Sequence, residues 1–157
     1  MGYVSSNLMP GEEIVYQAKI HWIVFVPGAL LFVIGVALAS LKIQHGVGVI
    51  AGGIVLLASL YLLLKALVHK LSTELAVTSR RVIAKSGLVM RHTVELNHSK
   101  VESFTVDQGI LGRIFDFGTL VVNGTGGGKT PIPNIDAPLE FRRRAMQTID
   151  SSQGGRG

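Results

Sequence analysis

Residues 122–133 read VNGTGGGKTPIP, and Gly128, Lys129 and Thr130 match the end of a phosphate-cradling loop. In such a loop, glycine backbone N–H groups and a lysine hold the phosphates of a nucleotide. The full pattern is GxxxxGK[ST], but the position five before Gly128 is Asn123, not glycine. The loop must also open a helix whose N-terminus faces the phosphate. Here Thr130 is followed by Pro131 and Pro133, which do not fit a helix interior. Flanked by TLVV and TPIPNI, the glycines are predicted to make a hairpin turn between two late strands. No nucleotide partner is expected.

Other chemistry is equally thin. The five histidines, at 21, 45, 69, 92 and 98, are scattered. His92 and His98 have the even spacing of one strand face, but no further ligand completes a metal set. No serine sits in a nucleophile elbow, and the acids show no recognisable pairing for acid–base work. With no cysteine, thiolate chemistry and disulfides are excluded. The sequence predicts no enzyme, no cofactor and no metal. The chain carries 15 Lys and Arg against 10 Asp and Glu, a modest excess that does not call for nucleic acid.

The elements that carry these residues are dominated by two apolar runs. Residues 23–41 and 46–64 contain no charge, and each is long enough as a helix to cross a hydrocarbon core about 30 Å thick. Hydrophobic residues make up 48% of the chain and charged ones only 16%. The expected arrangement is a transmembrane hairpin over 23–68, with helices at about 23–41 and 46–68 joined by KIQH. From Lys65 onward there are 13 basic and 8 acidic residues, whereas the part before it is neutral. The positive-inside bias therefore puts both termini in the cytoplasm and the tip outside, a multi-pass protein of the cytoplasmic membrane. ALAS at 37–40 has the small-x-small form of a cleavage site, but its flank lacks positive charge and the apolar run is long.

Within the hairpin, Gly35 and Ala39 on one helix and Gly48 and Gly52 on the other have small-xxx-small spacing. Measured from the loop midpoint, Ala39 matches Gly48 and Gly35 matches Gly52, so they are expected to pack the hairpin itself. Pro27 falls in the first turn, where its missing donor costs little. Before the hairpin, EEIVYQAKIHW alternates with period two, which suits a strand or an extended interfacial segment over 1–22. Tyr16 and Trp22 are expected headgroup-level anchors.

After the hairpin, short β-branched runs separated by turns predict six or seven antiparallel strands. APLEFRRRAMQTI follows with a helical apolar arc of Leu139, Phe141, Ala145, Met146 and Ile149. Arg142 is a misfit inside that arc. The expected domain covers 71–150, and SSQGGRG at 151–157 reads as a flexible tail.

Three segments of this region carry a resemblance: TSRRVIAKSG at 78–87, KVE at 100–102 and QGILGRIFDFGT at 108–119. Together they resemble the bacterial pleckstrin-homology-like (PH-like) domain of small membrane proteins, and LMPGEEIVYQAKIHW resembles the opening of such chains. The resemblance implies a bent seven-strand sheet closed by one helix. The expected fold class is thus an α+β membrane protein: a two-helix hairpin, then a PH-like antiparallel barrel or sandwich closed by its C-terminal helix.

The resemblance brings no specific activity, which leaves binding. One reading is a membrane-anchored scaffold acting through itself or another membrane protein, with exposed strand edges as docking sites. The alternative is anionic lipid-headgroup binding, with Arg80, Arg81, Lys85, Arg91, Arg113 and Lys129 as the candidate contacts. Ile110, Leu111, Ile114, Phe115 and Phe117 are enough to cap the sheet or dip into the interface, and of the two they are expected to serve as core, because a small domain needs one.

Overall fold

The computed structural model describes residues 2–41, 46–87 and 91–154. The expected loop KIQH lies outside the described residues. The chain divides into two compact units: residues 22–71, and the residues up to His21 together with those from Ser72 on.

In the second of these, alternation in EEIVYQAK produces strand β1, Ile14–Ala18, with half-buried and exposed residues in turn. It is the edge strand of a sheet. β1 pairs antiparallel with β2, Glu74–Thr78, through Tyr16↔Val77, Gln17↔Ala76 and Ala18↔Leu75. β3, Arg81–Ser86, and β4, His92–Asn97, complete a four-stranded sheet in the order β1-β2-β3-β4. β2 and β3 carry the short apolar runs LAV at 75–77 and VIA at 82–84, which are buried. The segment before the hairpin is thus part of the same unit as the strands after it. The hairpin is an insertion between β1 and β2.

A second, three-stranded sheet holds β5, Val101–Asp107, β6, Phe117–Gly124, and β7, Lys129–Asp136, in that order. Here TGGG forms the turn of the β6–β7 hairpin, closed by the Gly124 N–H donating to the Gly128 carbonyl at 2.9 Å. Pro131 and Pro133 lie in β7, which borders no further strand of its sheet, where a missing N–H is tolerated.

The sheets meet at one corner. Leaving β1, Ile20 bridges to Ile135, the His21 N–H donates to the Asn134 carbonyl at 2.8 Å, and the Asp136 N–H donates to the Lys19 carbonyl at 2.9 Å. At the far edges, β4 and β5 are joined by a 3-10 turn, His98–Lys100, and form no ladder with each other. The expected barrel is therefore two open sheets sharing a corner. Helix α5, Pro138–Gly154, packs on both, its Phe141 ring lying 5.8 Å from that of Tyr16 and 6.1 Å from that of Phe104. Phe141, Ala145 and Ile149 form its buried stripe, whereas Leu139 and Met146 are exposed. The stripe is narrower than the expected arc, and Arg142 is exposed outside it. The helix continues through Gly154, so the start of the expected tail is helical.

Two short helices complete this unit: α1, Tyr3–Ser6, and α4, Ile110–Ile114, the latter between β5 and β6.

Residues 22–71 form a 3-10 turn, Trp22–Phe25, leading into α2, Val26–Ser40, and then α3, which spans Val47–Ser72. Pro27 falls at the helix start as expected. A Cβ on Gly52 would lie 2.6 Å from the Ala39 nitrogen and 2.7 Å from the Gly35 carbonyl oxygen. Gly52 thus packs over the turn joining the two small residues of α2. Gly35 itself faces Leu56, and Gly48 is buried. The Ser59 hydroxyl donates to the Gly28 carbonyl at 2.9 Å, satisfying one polar group within an apolar interface. Both helices are long and apolar enough to cross a membrane, with a mean hydropathy of 2.5. Leu30, Val33, Ile50, Ile54 and Leu57 point outward from them.

Candidate functional site

The six basic candidates for headgroup contact do not share one face, and the sheet register separates the first of them. Arg81 pairs with Asn97 at one end of the first sheet, whereas Lys85 and Ser86 pair with Thr93 and His92 at the other.

At the first end, Arg81 is turned inward. Its Nε donates to Glu12 Oε1 at 3.0 Å and its Nη2 to Glu12 Oε2 at 2.9 Å, a two-pronged pairing. Nη1 reaches Glu95 Oε2 at 2.6 Å, and Nη2 also donates to the Asn7 carbonyl at 2.9 Å. Thr78 donates its hydroxyl to Glu12 Oε1 at 2.6 Å and accepts the Arg81 N–H at 3.0 Å. Burial pushes the Glu12 carboxyl up. The Met9 N–H, Thr78 and Arg81 outweigh that and hold it below the usual carboxylate range. Glu12 raises the Arg81 guanidinium in turn. Arg81 is therefore not a surface cation. It ties the N-terminal segment, the β2–β3 turn and β4 together. Arg80, its neighbour, is exposed.

A related clamp holds α1. Glu74 accepts the Tyr3 and Val4 N–H groups at 2.8 and 3.0 Å, and the Lys85 Nζ stands 3.6 Å from it. Burial raises the Glu74 carboxyl, but these N–H donors and Lys85 bring it below the usual range. Lys85 Nζ also sits 5.2 Å from the centre of the Tyr3 ring. Little of it remains for a ligand beyond one side of a small cavity of about 90 Å³. That cavity is also lined by Ser86, His92, Lys129 and Thr130, so it brings Lys85 and Lys129 together across the two sheets. Arg91 is exposed just ahead of β4.

Arg113 is elsewhere, on α4. It lines an open depression of about 850 Å³ with Asp107, Gln108, Asp116 and Leu139. The QGxxGR segment here builds a turn. Gln108 Nε2 donates to the Gly112 carbonyl at 3.2 Å and to the Phe117 carbonyl at 3.1 Å. A Cβ on Gly112 would lie 2.5 Å from the Phe117 oxygen, so the chain closes only with glycine there. The apolar residues of this turn were expected in the core. Instead Ile110 is 82% exposed, Leu111 63% and Ile114 67%. Held by Gln108 and Gly112, α4 stands outside a core already filled by Leu120, Val122, Ile135 and Phe141.

Among the described residues no group of three His, Asp or Glu side chains could hold a metal ion. His92 and His98 do not share a strand face, because His98 belongs to the 3-10 turn after β4. It is buried, with Nδ1 2.8 Å from the Ser152 hydroxyl. His21 is buried too, its ring stacked 5.3 Å from that of Phe117 and 3.9 Å from Asp136.

A family model for a bacterial PH domain matches residues 24–148. No curated protein and no solved structure matches the chain.

Proposed function

The chain belongs to the bacterial PH domain family, and from that premise we propose that it is a membrane-anchored, non-catalytic binding module. It acts as a scaffold for itself or for another membrane protein at the cytoplasmic face. The observation that carries this reading is the insertion of two outward-facing apolar helices between β1 and β2. A PH-like unit interrupted at that connection is tethered by two chain crossings instead of one. The hairpin spans the cytoplasmic membrane, with both termini inside. Among the described residues strand β4 is an edge of the first sheet, and it offers backbone donors and acceptors to an added strand.

The test is isolation of the intact protein in mild detergent, with single cysteines at His92→Cys and Asn97→Cys at the two ends of β4. The chain has no cysteine of its own, so any disulfide reports those positions alone. A defined oligomer or co-purifying membrane protein, linked through β4, is the expected result. A monomer with no partner and no link would overturn it.

A second reading is favoured by the cavity between Lys85 and Lys129. There an anionic lipid headgroup would meet the ammonium of Lys129 and that of Lys85, which Glu74 partly engages. Retention of anionic lipid by the intact chain, lost in Lys129→Gln, would support it. Equal retention of anionic and neutral lipid would not.

A further inference from the structure

We propose that α4 is a second membrane contact, a wedge that places Ile110, Leu111 and Ile114 in the headgroup–acyl boundary of the leaflet entered by the hairpin. The proposal rests on the reading of residues 22–71 as membrane-spanning.

Three observations carry it. The first is exposure. Ile110, Leu111 and Ile114 are each more than 60% exposed on one five-residue helix, whereas scattered single apolar residues are the norm for a soluble surface. The second is rigidity. Gln108 spends its amide on two carbonyls of the turn, and Gly112 leaves no space between α4 and Phe117. The helix cannot fold its apolar residues back into the core without breaking that arrangement.

The third is the short path from α4 through the His21–Phe117 ring contact to the start of the first apolar helix, which identifies the occupant. His21 is the last residue before the turn that opens the first apolar helix, and its ring stacks on Phe117 at 5.3 Å. The Gly112 backbone adjoins the Phe117 carbonyl. A few backbone and side-chain lengths therefore separate α4 from Trp22, within about 20 Å. This bound holds at any angle between the two units. If the first helix enters the bilayer at Trp22, α4 lies within reach of the same interface, whose polar layer is itself about 5–8 Å deep.

Charge plays a lesser part. Arg113 can extend its head towards phosphates while its stem stays among the apolar neighbours, but Asp107 and Asp116 line the same depression. Insertion is therefore driven by apolar area and proceeds in neutral lipid.

The test uses the full chain in phosphatidylcholine vesicles, with an environment-sensitive fluorophore on single cysteines. Ile110→Cys and Leu111→Cys report α4, Leu57→Cys the hairpin, and Thr125→Cys the exposed β6–β7 turn. Acyl chains brominated near the headgroup or near the bilayer centre supply contact quenching. Emission from positions 110 and 111 is expected to fall about twofold with the shallow quencher, and that from 125 hardly at all. Emission from position 57 should respond to the deep quencher. Quenching at 57 without quenching at 110 and 111 would overturn the wedge and leave the hairpin reading intact. Blue-shifted but unquenched emission at 110 would mean that protein covers α4, which also overturns it. No quenching at 57 would remove the membrane reading and the wedge with it.

Discussion

The β2–β3 turn and the turn that carries α4 belong to one small unit, and each is built from a short family motif. At the first, Thr78, Arg80 and Arg81 come from TSRR, and the charged side chain of Arg81 is taken inside to Glu12 and Glu95. At the second, QGILGR turns its half-buried Gln108 onto carbonyls of the turn, buries Gly112 and leaves Ile110, Leu111 and Ile114 outside. One turn buries charge and the other exposes hydrocarbon. Both invert the usual preference of a soluble surface, and for different reasons. Arg81 is compensated by acids brought from distant positions, so its inversion serves to hold the fold together. The α4 side chains stand outside a core filled by Leu120, Val122, Ile135 and Phe141, so their inversion presents apolar surface outward.

The sharpest way to break this contrast is Arg81→Ala. It leaves Glu12 buried without its guanidinium, and removal of one partner from such a pair costs about 3–5 kcal/mol. Arg80→Ala, one residue away and exposed, is expected to cost no more than about 0.5 kcal/mol. Thermal or urea unfolding of the full chain in detergent, followed by circular dichroism, measures both. Equal losses would mean that the pairing in the turn contributes nothing specific.

A smaller loss is expected from Gly112→Ala. The added methyl meets the Phe117 carbonyl, which is backbone and can move only with β6. Overpacking of this kind costs about 1–3 kcal/mol. Gly109→Ala is the control, because a Cβ there has nothing within contact distance; it is expected to stay within about 0.5 kcal/mol. If Gly112→Ala were equally mild, α4 would be loosely hung and its exposure a matter of looseness.

Much of the architecture follows from patterns visible in the residues. Uncharged runs mark the two apolar helices, and alternation marks β1. The missing glycine and the two prolines mark TGGG as a turn. The hidden part is what depends on partners far apart in the chain. Glu12 and Arg81 are 69 positions apart, and no local pattern says that an N-terminal acid pairs across the whole apolar hairpin with an arginine. The signal in the chain itself is GEE at 11–13 before the hairpin and TSRR at 78–81 after it; two charged motifs flanking an insertion suit a single ion pair. The division of the six basic residues was hidden for the same reason, since the register that separates Arg81 from Lys85 is a tertiary fact. The exposure of α4 escaped because apolar residues near a sheet are core more often than surface. The clue was the glycine at 112, which allows the turn to stand away from the sheet.

Acid should separate the two turns with the mildest perturbation. Glu12 and Glu74 both have carboxyls held below the ordinary value of 4.5 in the folded chain. A lowered folded value means that the unfolded chain binds protons more readily. Their contribution to stability is therefore complete above the unfolded value and is lost as pH falls through the folded ones. No loss is expected between pH 7 and about 5.5 from these groups, and a progressive one below about 4.5. Both carboxylates fasten the N-terminal segment: Glu12 holds Met9 and Arg81, and Glu74 holds α1 through Tyr3 and Val4. The α4 turn is tied by the amide of Gln108, which does not titrate. A mobility-sensitive label at Ser5→Cys, an exposed position on α1, should loosen on acidification before one at Gly109→Cys does. Simultaneous loosening would mean that the two turns share one cooperative unit, and the contrast between them would then be one of composition and not of stability.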